Sequence, residues 1–248
     1  MSEAASAASR RRIAGAAWRF RWAVEREAEA RFARLADRLA GLWVAPSLVE
    51  LAWRASLDER RHAVLCARMA ARHGEVVEEA GPVEPAEIAP PHLAPRERIL
   101  YEVVAACCVT ETESMGVLAE LLARAGDAEL RQVLRELATD EVRHSRLGWA
   151  ILAGEHARGG TAFLGPLVPD MLEGSIDVDL FRPCDPARDD QALLEHGVLP
   201  AALKREVFTR TLEEVVFPGL ERFGVDPAPA RAWLEGKRSA YAVAELAR

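Results

Sequence analysis

Apolar residues recur every three or four positions through most of the chain, the spacing that places them along one face of an α-helix. Alternating apolar and polar runs, which would predict strands, are nearly absent. The pattern predicts four long helices that begin and end at capping residues, glycine or proline. They run from about Arg12 to Ala40, from Ser47 to His73–Gly74, from Pro95 to Gly126 and from Asp127 to Gly154–Gly160.

Local signals support two of these helix starts. Ser47 and Glu50 have the spacing of a capping box, and Asp127 is a favourable N-cap residue. Residues 161–189 contain Gly, Pro and Asp, which predicts irregular structure. Shorter helices are predicted at about 190–196, 200–222 and 227–246.

The connections between helices constrain the topology. Short loops join helices 1 and 2 and helices 3 and 4, which predicts two antiparallel hairpins. Residues 74–95 contain five prolines and form a 22-residue linker that spans up to about 70 Å when extended. A helix of about 25 residues is about 38 Å long, so this linker reaches from one end of a bundle to the other. The predicted fold is all-α: a ferritin-like four-helix bundle with a long crossover over residues 10–158, and a C-terminal helical extension over 159–248 packed on it.

Each predicted core face carries a glutamate near its middle. Buried carboxylates must be neutralised, paired or bound to metal, and no lysine or arginine lies on these faces. Two divalent cations would balance four carboxylates, and helices 2 and 4 each add a histidine three residues after the glutamate. Such oxygen-rich sites with one imidazole per metal suit iron or manganese. The candidate ligands are Glu25, Glu59, His62, Glu111, Glu141 and His144.

The two glutamate–histidine motifs belong to a longer repeat. Asp58-Glu59-x-Arg61-His62-x-x-Leu65 recurs as Asp140-Glu141-x-Arg143-His144-x-x-Leu147, and each copy follows a core-facing glutamate by 30 to 34 residues. Over about residues 18–155 the chain resembles the ferritin-like di-iron carboxylate proteins, among them bacterioferritin, rubrerythrin and the small subunit of class I ribonucleotide reductase. Its Thr110-Glu111-Thr112 is similar to the Gly-Glu-Thr of a group of little-characterised bacterial ferritin-like domain proteins.

This resemblance implies two bound iron ions, with manganese as the alternative metal. It also implies that Asp58 and Asp140 orient the histidines of the opposite motif. Glu25 is favoured as the helix-1 ligand because Phe32 follows seven residues later, as in rubrerythrin-like helices. Equal spacing favours Glu29, which lies 30 residues before Glu59 as Glu111 lies 30 before Glu141, so Glu29 stays open as an alternate ligand.

Other polar residues receive weaker predictions. Ser114 lies on the core face of helix 3 and either lines a substrate pocket or bonds to the preceding turn. Glu113 and Glu120 fall on the opposite side of helix 3 and are predicted to be solvated. The histidines outside the two motifs are predicted to form no cluster.

Composition restricts the cellular setting. The 32 basic and 39 acidic residues give a net charge of −7, which disfavours a nucleic-acid partner. The chain contains no run of 18 apolar residues, so no membrane span is predicted. The four cysteines form no Cys-x-x-Cys pair, so we expect neither a zinc site nor a disulfide framework, and a cytoplasmic location is predicted.

The leading functional hypothesis is a di-iron oxidase or oxygenase that uses O₂ and an unknown small organic substrate, with an unidentified electron donor. A ferroxidase or iron-storage protein is the alternative, and a metal-free scaffold is disfavoured by the intact ligand set. The C-terminal extension predicts a monomer or small homo-oligomer rather than a cage.

Overall fold

The computed structural model describes residues 3–42, 44–78, 81–176 and 179–247, and no strand occurs among them. The predicted all-α fold is confirmed, and its long helices form the core of a bundle. The third bundle helix is interrupted by a π-helical segment. The bundle elements are α1 Glu3–Ala40, α2 Pro46–Arg72, α3 Pro95–Val103, the π-helical segment Val104–Thr110, α4 Glu111–Arg124 and α5 Ala128–His156.

Two helix starts differ from the sequence prediction. α1 begins at Glu3 instead of Arg12, because the Ala-rich residues before Arg12 include no glycine or proline that would end a helix. The predicted capping box at Ser47 is wrong, because Pro46 takes the first helical position and Ser47 lies inside the first turn. The cap at Asp127 is confirmed, because its Oδ1 accepts the Leu130 N–H at 2.8 Å.

The π-helical segment leads directly into Glu111. Its residues are almost all buried and apolar, so no hydrophobic period marks the change from α to π geometry. Gly148 on α5 lies against this segment, where a Cβ atom would stand 2.5 Å from Cys107 Cβ. The close approach of α5 therefore requires glycine at this position.

The crossover between α2 and α3 contains no helix among its described residues, as predicted. Arg34 Nη1 on α1 donates to the Pro85 carbonyl at 2.6 Å, which fixes the crossover along the bundle. Glu102 on α3 is 1% exposed and contacts three arginines of α1, Arg31, Arg34 and Arg38. This ion-pair cluster ties α1, α3 and the crossover together.

The C-terminal extension contains more helix than the sequence predicts. Val168–Ser175 forms helix α6 inside the stretch predicted to be irregular, because Val168, Met171 and Leu172 bury an apolar face. A Cβ atom on Gly116 of α4 would lie 2.4 Å from Thr211 Oγ1, so the extension packs closely on the bundle. The remaining elements are 3₁₀ segments Ala162–Leu167, Pro186–Asp189 and Gln191–His196, helix α7 Ala201–Thr211, a π-helical segment Leu212–Val216, α8 Phe217–Arg222 and α9 Ala228–Leu246.

The core contains two separate apolar clusters. One surrounds Phe32 and Leu35 and continues into the extension, and the other surrounds Trp18, Met69 and Leu134. Within the described part of the chain, no helix combines the length and apolar character needed to cross a lipid bilayer.

Candidate di-metal site

Six buried side chains from four helical elements meet in the middle of the bundle. Each of them is at most 8% exposed. They form two overlapping groups in which one potential ligand atom from each residue lies within 4.8 Å of the others. The first group contains Glu25, Glu59, His62 and Glu141, and the second contains Glu59, Glu111, Glu141 and His144.

Glu59 and Glu141 belong to both groups, so they stand between the two positions. The two histidines also lie near each other, with ring centroids 5.9 Å apart. His62 Nδ1 lies 3.1 Å from Glu59 Oε2, and His144 Nδ1 lies 3.2 Å from Glu141 Oε2. Both rings therefore turn Nδ1 toward the carboxylates.

The outer nitrogens of the histidines face aspartates of the opposite motif. Asp140 Oδ2 lies 3.2 Å from His62 Nε2, and Asp58 Oδ2 lies 3.5 Å from His144 Nε2. Arg61 contacts both aspartates and is half exposed. An aspartate that accepts the Nε2–H proton fixes the tautomer that leaves an Nδ1 lone pair for a metal.

Charge compensation in this cluster depends on protons. Burial, together with the neighbouring Glu59 and Glu141, raises the pKa of Glu25 well above its usual range. Burial also raises the pKa of Glu111, with Glu141 as the next cause. Burial opposes ionisation of Glu59 as well, but the His144 and His62 rings outweigh it and lower the pKa of Glu59.

The histidines show the complementary effect. Burial disfavours the charged imidazolium, but the neighbouring carboxylates of Asp58, Glu141 and Glu59 raise the pKa of His144. The cluster thus favours protonated Glu25, Glu111 and His144 beside the anionic Glu59. Protons on these residues reduce the negative charge of the cluster, which bound divalent cations would otherwise balance.

The donor set fits two such cations. Glu59 Oε1 is buried and has no hydrogen-bond partner among the described residues, although it lies 2.9 Å from His144 Nδ1. An orphaned carboxylate oxygen between two imidazoles and three other carboxylates is a suitable metal ligand. Four carboxylates and two imidazoles favour iron or manganese over softer metals.

The structure places the other candidate residues outside the cluster. Glu29 accepts a hydrogen bond from Arg60 Nε at 2.7 Å and belongs to neither ligand group. Ser114 is half buried on α4, one turn after Glu111, and belongs to neither ligand group. Cys66 is buried with Sγ 3.9 Å from Glu25 Oε1.

Two predictions about residues away from the site are wrong. Glu113 is half buried beneath α6, where Ser175 Oγ donates to it at 3.3 Å, and burial raises the pKa of Glu113 to about 8. His73 and His196 lie with ring centroids 5.2 Å apart, whereas the sequence predicts no cluster of these histidines. In both cases the extension supplies the contact, and no local sequence signal marks it.

Sequence reasoning also missed the role of the motif arginines. Arg143 Nη1 lies 2.5 Å from Asp140 Oδ1, and Arg61 reaches the same carboxylate from α2. The arginines of the Asp-Glu-x-Arg-His repeat thus hold the aspartates that face the histidines. The repeated Asp and Arg spacing was the available signal.

Comparison with known proteins identifies the bundle. The family model of rubrerythrin matches residues 20–149, a region that includes all six residues of the cluster. No curated protein and no solved structure matches the chain.

Proposed function

Because the chain belongs to the rubrerythrin family of ferritin-like di-iron carboxylate proteins, we propose that its buried cluster binds two iron ions and uses O₂ to oxidise a small organic substrate. The observation that supports this proposal is the pair of overlapping ligand groups that share Glu59 and Glu141. When bound, two ferrous ions supply the electrons that O₂ needs for a two-electron oxidation. Manganese is the alternative metal for the same ligands.

The ligands would divide into terminal and bridging roles. Glu25 with His62 would hold one ion, and Glu111 with His144 the other, while Glu59 and Glu141 lie between them. The protons that Glu25 and Glu111 favour in the free cluster must leave when cations enter. We therefore expect metal binding to release protons.

The surroundings of the cluster support oxidation chemistry by keeping water away. Phe32 packs on the His144 ring with centroids 5.2 Å apart and is itself 1% exposed. Leu137 is also 1% exposed, one turn before Glu141. A dry apolar wall protects a reactive oxidant from side reactions with solvent.

Ferroxidase or iron-storage activity would use the same six ligands. The packing of α7 on α4, with Thr211 against Gly116, adds a layer to the outside of the bundle. We expect a monomer or small homo-oligomer in the cytoplasm, where reduced thiols such as those of Cys66 and Cys107 persist. Light scattering that shows a closed shell of a dozen or more chains would favour storage.

The test is anaerobic titration with ferrous iron followed by exposure to O₂. We expect about two ferrous ions per chain, loss of one or both in Glu59→Ala and Glu141→Ala, and retention of both in Glu84→Ala. Glu84 is an exposed residue of the crossover, so it controls for removal of a carboxylate. Mass spectrometry of candidate substrates after O₂ exposure should show an oxidised product. Fewer than one metal ion per chain would contradict the proposal, whereas many iron atoms per chain without a product would favour storage.

A further inference from the structure

Two buried hydroxyl groups lie beside the second ligand group. Thr112 directly follows Glu111 on α4, and Ser145 directly follows His144 on α5. Their side-chain oxygens lie 2.9 Å apart, and the two residues are 4% and 6% exposed. A hydrogen bond between α4 and α5 therefore stands next to the two ligands that only the second group contains.

A tryptophan joins this hydrogen bond to the C-terminal extension. Trp149 Nε1 donates to Ser145 Oγ at 3.1 Å. Because an indole N–H can only donate, it occupies one lone pair of this oxygen and leaves the hydroxyl proton or the other lone pair for Thr112. The indole packs against Phe223 with ring centroids 6.3 Å apart, and a Cβ atom on Gly219 would stand 2.6 Å from it. The extension thus covers the indole that supports the hydroxyl pair.

The two ligand groups differ in the helices that carry them. Glu111 is the first residue after the π-helical segment, and its N–H bonds to the Ala106 carbonyl, five residues earlier. The regular α-helical bonding of the preceding turn therefore does not fix the direction of Glu111. Glu25 and His62, which only the first group contains, lie inside the continuous helices α1 and α2. A contact that fixes α4 against α5 beside Glu111 thus acts where the backbone alone constrains the ligand least.

We propose that Thr112, Ser145 and Trp149 are positioning residues for the second metal position, the one that Glu111 and His144 would hold. The inference rests on the proposed function, since it takes the six ligands to bind two ions. The three side chains act through the helices that carry the ligands and not as ligands themselves. Support of this kind raises metal affinity because the ligand atoms are already in place before the metal arrives. Through Trp149, the extension contributes to one metal position and not to the other.

The experiment measures ferrous binding at each position separately. Glu25→Ala leaves the second ligand group complete, and Glu111→Ala leaves the first group complete. Thr112→Val, which removes the hydroxyl and keeps the branched shape of the side chain, is added to each background. In anaerobic titration with a competing chelator, we expect about tenfold weaker binding in the Glu25→Ala background and unchanged binding in the Glu111→Ala background.

Three further variants separate the hydrogen bonds from packing. Trp149→Phe keeps an aromatic ring but removes the N–H, and it should also weaken the second position alone. Thr112→Ser restores the hydroxyl and should recover wild-type affinity. Thr139→Val is the matched control and should change neither position. Thr139 is exposed two residues before Glu141, and its hydroxyl donates to the Arg135 carbonyl of its own helix.

The remaining outcomes distinguish the positioning role from the proposed function. Fewer than one ferrous ion per wild-type chain would contradict the proposed function. Two ions in the wild type, with equal affinities in Thr112→Val and Thr139→Val, would overturn the positioning role alone. A loss of equal size in both backgrounds would also overturn it, because general loosening of the bundle weakens both positions, and urea unfolding of the metal-free chains would show that loosening. Wild-type affinity in Trp149→Phe would overturn the link to the extension.

Discussion

Asp140 Oδ2 lies 3.2 Å from His62 Nε2 across the α2–α5 interface, so the aspartate of the second Asp-Glu-x-Arg-His motif holds the histidine of the first. The opposite pair, Asp58 and His144, is slightly longer at 3.5 Å. Asp140 contacts two arginines, Arg61 and Arg143, whereas Asp58 contacts Arg61 alone. The histidine of α2 is therefore held more firmly than the histidine of α5.

Removal of this support should weaken metal binding. In Asp140→Ala, His62 loses the acceptor for its Nε2–H, and we expect ferrous affinity to fall about 10- to 100-fold, as for other outer-shell partners of metal ligands. Asp37→Ala is the matched control, because Asp37 is exposed on α1. Anaerobic titration with a competing chelator measures both. Equal affinities in the two variants would show that Asp140 does not support His62.

A second experiment separates the two helix-1 carboxylates. Glu25 faces the cluster, whereas Glu29 is bound to Arg60. We expect Glu25→Ala to bind one metal ion fewer per chain and Glu29→Ala to bind as many as the wild type. Elemental analysis after ferrous loading measures the difference. The reverse result would make Glu29 the ligand.

The half-buried carboxylate of Glu113, beneath α6, should make stability depend on pH. Burial raises its pKa to about 8 in the folded chain, while an unfolded glutamate titrates near 4.5. The folded state thus retains a proton that the unfolded state releases, and the free energy of unfolding contributed by this group falls as pH rises from about 4.5 to 8. Glu113→Gln, which stays neutral, should lose less stability over this range.

Urea unfolding at pH 5, 6.5 and 8 measures that dependence. Glu120→Gln is the control. Glu120 lies on the same helix and forms ion pairs with Arg124 on α4 and with Arg210 in the extension. Parallel pH curves for Glu113→Gln and the wild type would contradict a protonated Glu113. The comparison also tests whether the extension covers α4 in solution.

A fourth prediction concerns the anchor of the crossover. Glu102→Ala would leave Arg31, which is 8% exposed, without its buried partner, while Arg31 keeps Glu27 and both Arg34 and Arg38 keep Glu87. Breaking a buried ion pair by removing one partner costs about 3–5 kcal/mol of unfolding free energy. Denaturant unfolding measures this loss of free energy. Faster proteolysis within residues 81–90 would show that the crossover is the part that loosens. An effect as small as that of Glu84→Ala would mean that the arginines find other partners.

Sequence alone predicted the parts of the site that depend on local spacing. The i, i+3 relation of Glu59 to His62, and of Glu141 to His144, is fixed by helix geometry, and the apolar stripe indicates which side faces inward. Glu25 and Glu29 share a face, so spacing could not separate them. The structure distinguishes them through Arg60, a residue of another helix.

Features that depend on contacts between distant segments were not predictable. Glu113 has the sequence context of a solvated residue, and its burial comes from Ser175 in a stretch that lacks a clear helical pattern. His73 and His196 are far apart in the chain and meet only because the extension returns to the end of α2. The same holds for Arg61, whose contact with Asp140 crosses between helices.

The π-helical segment Val104–Thr110 has a consequence for deletion and insertion variants. A π-helical turn contains one residue more than an α-helical turn, and each residue turns an α-helix by about 100°. If the segment became α-helical with all of its residues kept, α3 and α4 could not both keep their present faces toward α5. Glu111 would then turn away from Glu141, or Glu102 from its arginines. Removal of one residue together with the change to α-helix would keep both faces, so the wider π turn is what lets this number of residues place Glu111 in the cluster.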